Sequence, residues 1–362
     1  MRQLTVGIIG CGNISTIYMQ AGRTFPVLHI AACADLDEER ARAQAAAHGI
    51  PKACSVAELL RDESIELVVN LTVPLAHAEV ALAALEAGKH VYNEKPLAVS
   101  RDDARKMLDL AQSRGLRVGC APDTFLGGGL QTCRALLDAG AIGRPVSATA
   151  AMLSPGPERW HPNPDFFYQH GAGPLFDMGP YYLTALATLL GPARNVSGST
   201  RITHTTRTIG SGARAGTTIP VSTPTHVTAL LEYDEAVATL TTSFDLAEGY
   251  PARLEIFGTE GALRLPDPNT FGGPVQLKRR GGEWEEVPIA HGYTTNSRGI
   301  GVADLAYAIA EGRPHRASGE LAFHVLETMH AIYESATSGH RLSLESAITR
   351  PDALPVVWPE GA

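Results

Sequence analysis

Aromatic residues are scarce in this chain: Trp, Tyr and Phe make up 6% of 362 residues. Cysteine is scarcer still. The five thiols (Cys11, Cys33, Cys54, Cys120, Cys133) are scattered without a CxxC pair, which argues against a disulfide framework and a cysteine-based metal site. No convergent His/Asp/Glu cluster takes their place, so no metal is expected. Positive charge is in deficit, with 30 Lys and Arg against 38 Asp and Glu, and the longest basic run is Lys278-Arg279-Arg280. Nucleic acid and anionic membrane surfaces are therefore poor partners. Long apolar runs are missing as well. The charge-free stretch from Gln3 to Gly22 is interrupted by Gln, Thr, Asn, Ser and Gly, which fits neither a signal peptide nor a membrane span. A reduced, cytoplasmic setting is the simplest expectation.

What the chain does have is turn formers, 36 Gly and 24 Pro, on a length that predicts two domains. The first 120 or so residues alternate β-branched apolar runs with helical patterns. Candidate strands are Thr5 to Gly10, His29 to Ala34, Leu67 to Val73, His90 to Asn93 and Arg117 to Cys120. Leu36 to Gly49 and His77 to Gly88 read as helices, and Ser100 with Asp103 opens another. Alternation of this kind predicts a doubly wound parallel sheet, a Rossmann domain, over residues 1–122. Beyond it the pattern turns to period two. Val227, Ala229, Leu231 and Tyr233 share one strand face, with turns at Asp234-Glu235, Gly258 to Gly261 and Gly281-Gly282. Residues 123–362 are thus expected to form an α+β domain with a large, mainly antiparallel sheet. Leu321, Val325, Leu326, Met329, Ile332, Tyr333 and Ala336 mark a core-facing helix. The Thr-, Gly-, Ser- and Pro-rich segment from Ser199 to Thr225 reads as a long exposed connection or lid.

The first strand runs directly into Gly10-Cys11-Gly12-Asn13-Ile14-Ser15 and a helix. In a dinucleotide fold such glycines permit the tight turn and let the backbone approach a pyrophosphate at the helix N-terminus. Ser15 stands where a third glycine is usual, which is expected to loosen helix-to-strand packing. A structural Gly-rich turn is the bland alternative. Context favours the ligand, because Asp35 ends the second strand, where a carboxylate can accept the adenosine ribose hydroxyls. With no Arg, Lys or Ser adjoining it, Asp35 favours NAD, and NADP less. Asp37 reads as an ordinary helix N-terminal acid. Asn93-Glu94-Lys95-Pro96 places an ionisable pair at the carboxyl end of the sheet, where ligands of such folds bind.

Taken together, GCGNI at residues 10–14, Thr72-Val73-Pro74 with His77, Glu94-Lys95-Pro96, Gly171 to Tyr181 (GAGPLFDMGPY) and Phe257 to Gly261 (FGTEG) resemble the Gfo/Idh/MocA family. The resemblance spans nearly the whole chain. It implies a nicotinamide cofactor held by Gly10, Gly12, Asn13, Ile14, Asp35, Thr72, Pro74, His77, Glu94 and Lys95. It also implies an open C-terminal sheet that serves oligomerisation, as a homodimer or homotetramer. Lys95 matches the family's catalytic or substrate-orienting lysine and Asp177 its substrate-positioning carboxylate. Tyr181 stands where many members carry a catalytic histidine, and some branches use Tyr there.

Hydride transfer from an alcohol needs a base for the hydroxyl proton. A tyrosine, with an ordinary pKa of about 10, serves at neutral pH only where a cation favours the phenolate, and Lys95 can supply that cation. Asp177, four residues before Tyr181, shares its side of a helical turn. Seven of the aromatics fall between Trp160 and Tyr182, a clustering that suits the faces and hydroxyls of a ring ligand as well as plain core packing. Trp160, His161 and Tyr168 are the substrate-wall candidates, and Phe166 and Phe176 read as core. Asp123-Thr124-Phe125 with Gly127 to Gly129 reads as the hinge between domains, with Asp123 a candidate to face the pocket. Thr124 departs from the family's Asn-Arg-Arg-Phe-like segment and removes an anion contact, which favours a neutral polyol. The leading reading is an NAD-dependent oxidoreductase acting on a secondary alcohol or ketone of a sugar or inositol. Glycoside cleavage through transient oxidation, and a non-catalytic NAD-binding regulator, are the alternatives.

Overall fold

The computed structural model describes residues 2–359, which fall into two compact units. One comprises the chain up to Leu126 together with Asn296–Leu326, and the other comprises Gly127–Thr295 and the chain from Glu327 onward. A single cut after residue 122 does not describe this division, because Asn296–Leu326 returns to the first unit.

The first unit is built from β1 (Leu4–Ile9), α1 (Ser15–Thr24), β2 (Leu28–Ala34), α2 (Glu38–His48), β3 (Lys52–Cys54), α3 (Val56–Arg61), β4 (Leu67–Asn70), α4 (His77–Glu86), β5 (His90–Asn93), α5 (Arg101–Ser113) and β6 (Val118–Cys120). Its six strands pair in the order β3-β2-β1-β4-β5-β6, all parallel. The apolar residues of the central strands β1, β4 and β5 are buried, as a sheet covered on both faces requires. Winding reverses between β1 and β4, the point at whose carboxyl ends folds of this kind bind their ligands. The helix starts follow local chemistry. Asp37 accepts the Arg40 N–H at 3.1 Å, Ser55 and Glu58 form a capping box, and Ser100 accepts the Asp103 N–H at 3.1 Å. The three-residue β3 has no counterpart among the sequence-predicted strands.

The second unit contains α6 (Gly128–Asp138), β7 (Pro145–Leu153), α7 (Gly173–Leu190), β8 (Asn195–Arg201), β9 (Thr206–Thr208), β10 (Thr218–Pro220), β11 (His226–Glu232), β12 (Val237–Ser243), β13 (Arg253–Gly258), β14 (Gly261–Arg264), β15 (Val275–Arg279) and β16 (Glu285–Val287). The chain then enters α8 (Ile300–Glu311) of the first unit, passes through α9 (Gly319–Ser338), and closes with β17 (Leu342–Ser343). Nine strands order as β16-β15-β14-β13-β7-β12-β11-β8-β17. Only β7 and β12 pair in parallel among them. Ala229, Leu240, Ala150 and Leu254 form one buried row across four strands, and α7 packs on β7, β11 and β12. The opposite face presents Leu230, Val237 and Phe257 to solvent.

One sequence expectation needs correction here. The segment from Ser199 to Thr225 is largely exposed, as expected, but it is no irregular connection: β9 and β10 form an antiparallel hairpin whose Arg207 and Arg214 are ion-paired. The chain passes from the first unit to the second between Leu126 and Gly127, within the segment read as a hinge, and Gly127, Gly128 and Gly129 are in addition close-packing positions. A Cβ on each would lie 2.5 Å from Phe271, 2.6 Å from the Gly292 oxygen and 2.8 Å from Pro266, respectively.

Candidate cofactor and substrate residues

At the end of β1, Gly10 has φ of 100°, and a Cβ there would meet the Leu71 carbonyl at 2.6 Å. Only glycine fits that crossing. Gly12 is the opposite case, since a Cβ there would meet nothing within 4 Å. This open space adjoins the start of α1, a helix with no side-chain N-cap, where partial positive charge favours an anion. Ser15 is fully buried and its hydroxyl donates to the Gly12 carbonyl at 2.7 Å. It therefore stabilises the turn from within, contrary to the expected loosening. Asn13 and Ile14 are exposed beside it.

Asp35 holds this turn in place. Its Oδ2 accepts the Cys11 N–H at 2.7 Å, and its Oδ1 accepts the Asp37 N–H at 2.9 Å and Arg40 Nη2 at 3.1 Å. The premise that no arginine stands near Asp35 is thus corrected, because the first turn of α2 folds Arg40 back onto it. Sequence reasoning also missed an apolar rim: Leu36 is 98% exposed, Val73 67% and Leu75 78%. Large bare aliphatics of this kind after β2 and β4 match the flat faces of an aromatic base.

After β4 and β5 the sequence-predicted residues lie on a buried polar lattice. Asn70 and Asn93 end the two strands in register, and Asn70 Nδ2 donates to Asn93 Oδ1 at 3.0 Å and to the His77 carbonyl at 3.0 Å. Asn70 Oδ1 accepts the Thr72 hydroxyl at 2.7 Å, and Asn93 Nδ2 donates to the Leu97 carbonyl at 3.0 Å. Glu94 accepts the Tyr18 hydroxyl at 2.9 Å and the Lys95 N–H at 2.9 Å. Thr72 and Lys95 are half-buried and Pro74 is exposed. His77 is 1% exposed, so it does not line an open cofactor groove as the resemblance implies. Burial pushes its imidazole below the usual pKa, opposed by backbone contacts to Pro96 and Thr72. The recurrence of Asn at the ends of LVVN and HVYN was a legible signal for the lattice.

Asp123 is likewise corrected. It is fully buried and accepts the N–H groups of Gly299 at 2.9 Å and Gly301 at 3.1 Å, capping α8 instead of facing a ligand. Desolvation pushes its carboxyl up to about 6, against the lowering effect of those N–H groups and of Arg298.

In the second unit, Asp177 and Tyr181 both fall within α7, one helical turn apart and on one side. Asp177 is half-buried and Tyr181 buried. Pro180 lies between them and has no N–H to return to the Phe176 carbonyl. Trp160 is 66% exposed, and its ring meets His161 edge-on at 5.4 Å. His161 in turn contacts Phe166 at 5.5 Å and Phe167 at 5.4 Å. Phe166 is exposed, contrary to the core reading, and Phe176 is buried in line with it. Tyr168 is a buried strut in this structure and no open wall. Its hydroxyl donates to Glu158, and its ring lies beneath the Arg207 guanidinium at 5.4 Å. Arg207 pairs with Glu158 at 3.2 Å and Asp245 at 2.7 Å, and Arg214 with Asp165 at 2.6 Å. The β9–β10 hairpin therefore clamps the aromatic loop at two points. Among the described residues, no group of three or more His, Cys, Asp or Glu is placed to hold a metal. No helix among them is long and apolar enough to cross a membrane.

Comparison with known proteins places this geometry. Residues 4–121 match an oxidoreductase family with an NAD-binding Rossmann fold, and residues 130–264 match the GFO/IDH/MocA C-terminal domain. The chain is 31% identical over 329 residues, 88% of its length and 89% of the relative's, to dTDP-3,4-didehydro-2,6-dideoxy-alpha-D-glucose 3-reductase of Streptomyces violaceoruber. It is 30% identical to D-xylose 1-dehydrogenase (NADP(+)) 2 of Haloferax volcanii, covering 94% of this chain and 99% of that one. A levoglucosan dehydrogenase structure, in complex with NADH and L-sorbose, shares the fold with a TM-score of 0.82 at 22% identity, over 95% of this chain and 99% of that chain. With both units matched and this identity sustained along most of its length, the chain belongs to the Gfo/Idh/MocA family of oxidoreductases.

Proposed function

We propose that this chain interconverts a secondary alcohol and a ketone on a neutral sugar, cyclitol or related polyol, with NAD as the hydride carrier. The observation that carries the reading is the cradle after β1, where Gly12 leaves open space at an uncapped helix start beside Asp35. When bound, NAD supplies the hydride acceptor. Gly10, Gly12, Asn13 and Ile14 would receive the pyrophosphate. Asp35 keeps acceptor capacity for ribose, since a carboxylate offers about four lone-pair sites and three donors occupy it here. Leu36 and Val73 would flank the base, and Thr72, Pro74 and Glu94 would border the cofactor further along. Arg40 supplies a cation that a 2′-phosphate needs, so NADP is accepted as the weaker alternative.

Lys95 is assigned the cation that favours proton transfer, Tyr181 the proton itself, and Asp177 a second substrate hydroxyl. Trp160 and His161 are assigned to the sugar face. The relatives named for sugar oxidation and reduction support this substrate class. The exposed face around Leu230, Val237 and Phe257 is the assigned surface for self-association as a dimer or tetramer. The test is a panel of myo-inositol, D-xylose and levoglucosan with NAD, read by the near-ultraviolet absorbance of reduced nicotinamide. Lys95→Met should abolish the signal while NADH binding persists. Unchanged turnover in that variant removes the role of Lys95, and loss of a glycoside without net NADH would instead indicate transient oxidation.

A further inference from the structure

We infer that His77 is a positioning residue for Lys95: its buried imidazole, carried on the segment after β4, holds the Pro96 carbonyl in the segment after β5. Nδ1 of the ring lies 2.6 Å from the Pro96 carbonyl oxygen, and Nε2 lies 3.1 Å from that of Thr72. Carbonyls only accept, and a neutral imidazole carries one N–H, so the shorter contact assigns the proton to Nδ1, which donates to Pro96; Nε2 then makes only a packing contact with Thr72, and the tie to the segment after β4 runs through the main chain of His77 itself. Pro96 directly follows Lys95. On the other side, the Lys95 N–H is held by Glu94, and Glu94 is held by Tyr18 from α1. Lys95 is thus pinned before and after, by Glu94 and through Pro96 by His77.

His77 is itself held from below. Its carbonyl accepts Asn70 Nδ2 at 3.0 Å, and Asn70 is locked to Asn93 and Thr72. The backbone sets where a lysine's flexible stem begins, and small misplacements of a reacting group are costly. The ring acts from a position nearly closed to solvent, so its effect reaches the chemistry only through the two loops it joins.

The inference rests on the proposed role of Lys95, so the test reads Lys95 itself and needs no substrate. Trace acetic anhydride labelling, followed by peptide mass spectrometry, gives the reactivity of Lys95 relative to exposed Lys52. His77→Asn keeps a donor at the Nδ1 position, and His77→Gln places one at the Nε2 position, leaving the Pro96 carbonyl without its partner. The Gln variant should change Lys95 reactivity about 5-fold, the effect of one lost hydrogen bond, and the Asn variant less than about 2-fold. NADH affinity, followed by fluorescence, should stay within about 3-fold in both, since no uniform binding contact is removed. Equal reactivity in the two variants, or loss of NADH binding in both, overturns the inference. Should the variants not fold, wild-type protein labelled with 15N-histidine decides: a His77 ring N–H protected from solvent exchange supports the clamp, and one exchanging as fast as His161 refutes it. Failure of Lys95→Met to lose turnover would sink the catalytic reading without altering any of these readouts.

Discussion

Replacing Asp123 by Asn should stabilise the protein at neutral pH and leave it little changed in mild acid. The carboxylate is fully buried, and both of its backbone donors, Gly299 and Gly301, bond to the same oxygen. An Asn oxygen can take both bonds, so the start of α8 stays capped. Burial raises the Asp123 carboxyl to about 6, whereas in the unfolded chain it titrates near 3.9, a gap of about two units or ~3 kcal/mol. The sign follows from proton counts. Between those two values the folded state holds more protons than the unfolded state, so this group's contribution to stability falls as pH rises through the window and is flat above it. Asn escapes that cost but brings an amide N–H₂ needing partners, a burden of about 1 to 2 kcal/mol. The expected net gain near pH 7.5 is therefore about 1 to 2 kcal/mol, closing or reversing as pH falls to about 4.5. Urea unfolding of wild type and D123N across that range measures it. Asp123→Ala is the control, expected to lose about 2 to 4 kcal/mol relative to D123N because two buried N–H groups lose their acceptor. A difference between wild type and D123N that does not move with pH, or that grows in acid, would refute the reasoning.

The two turn glycines should separate fold from function. Gly10→Ala, driven into the Leu71 backbone, should cost at least about 2 kcal/mol in urea unfolding. Gly12→Val should leave the melting temperature within a few degrees but weaken NADH binding, followed by fluorescence titration, by about 10-fold or more. Arg40→Ala should weaken NADP binding about 10- to 100-fold, the range of a charge-assisted bond, with a smaller effect on NAD; equal losses for both would remove Arg40 as the discriminating group. Arg207→Met strands the buried carboxylates of Glu158 and Asp245 and should cost about 3 to 5 kcal/mol, with limited proteolysis then appearing first in residues 154–170.

Much of the fold is legible because burial leaves a period. The strands through Ile9, Ala34, Asn70 and Asn93 show continuous apolar runs, and β11 and β12 alternate in register, so layer and strand type follow directly. The helix Ile300–Glu311 is also plainly apolar, but periodicity records that a face is buried and not what buries it. Its return to the first unit is therefore invisible along the chain. The site divides in the same way. Gly10 and Gly12 announce themselves because their chemistry is local to one strand-turn-helix unit, and Asp35 because it ends the very next strand at a fixed spacing from them. Asp123 misleads because its donors lie 176 and 178 residues away, and an isolated Asp near a boundary looks the same whether it caps a helix or meets a ligand. Tyr168 misleads for a related reason: composition marks an aromatic cluster, while Arg207 and Glu158 decide which member is covered. Arg40 is absent from the sequence reading because five residues look distant until the turn into α2 folds them together.

The hairpin of β9 and β10 has a consequence for exchanging segments of this chain with those of a relative. Its arginines hold Glu158 and Asp165, so the aromatic loop and the hairpin form one structural unit, although they are well separated along the chain. A loop carrying new ring-facing side chains, imported alone, would arrive without its matching cations. Recombination that transfers residues 154–170 together with 203–223 should preserve a working arm, whereas exchange of either segment singly leaves a buried carboxylate or guanidinium unmatched.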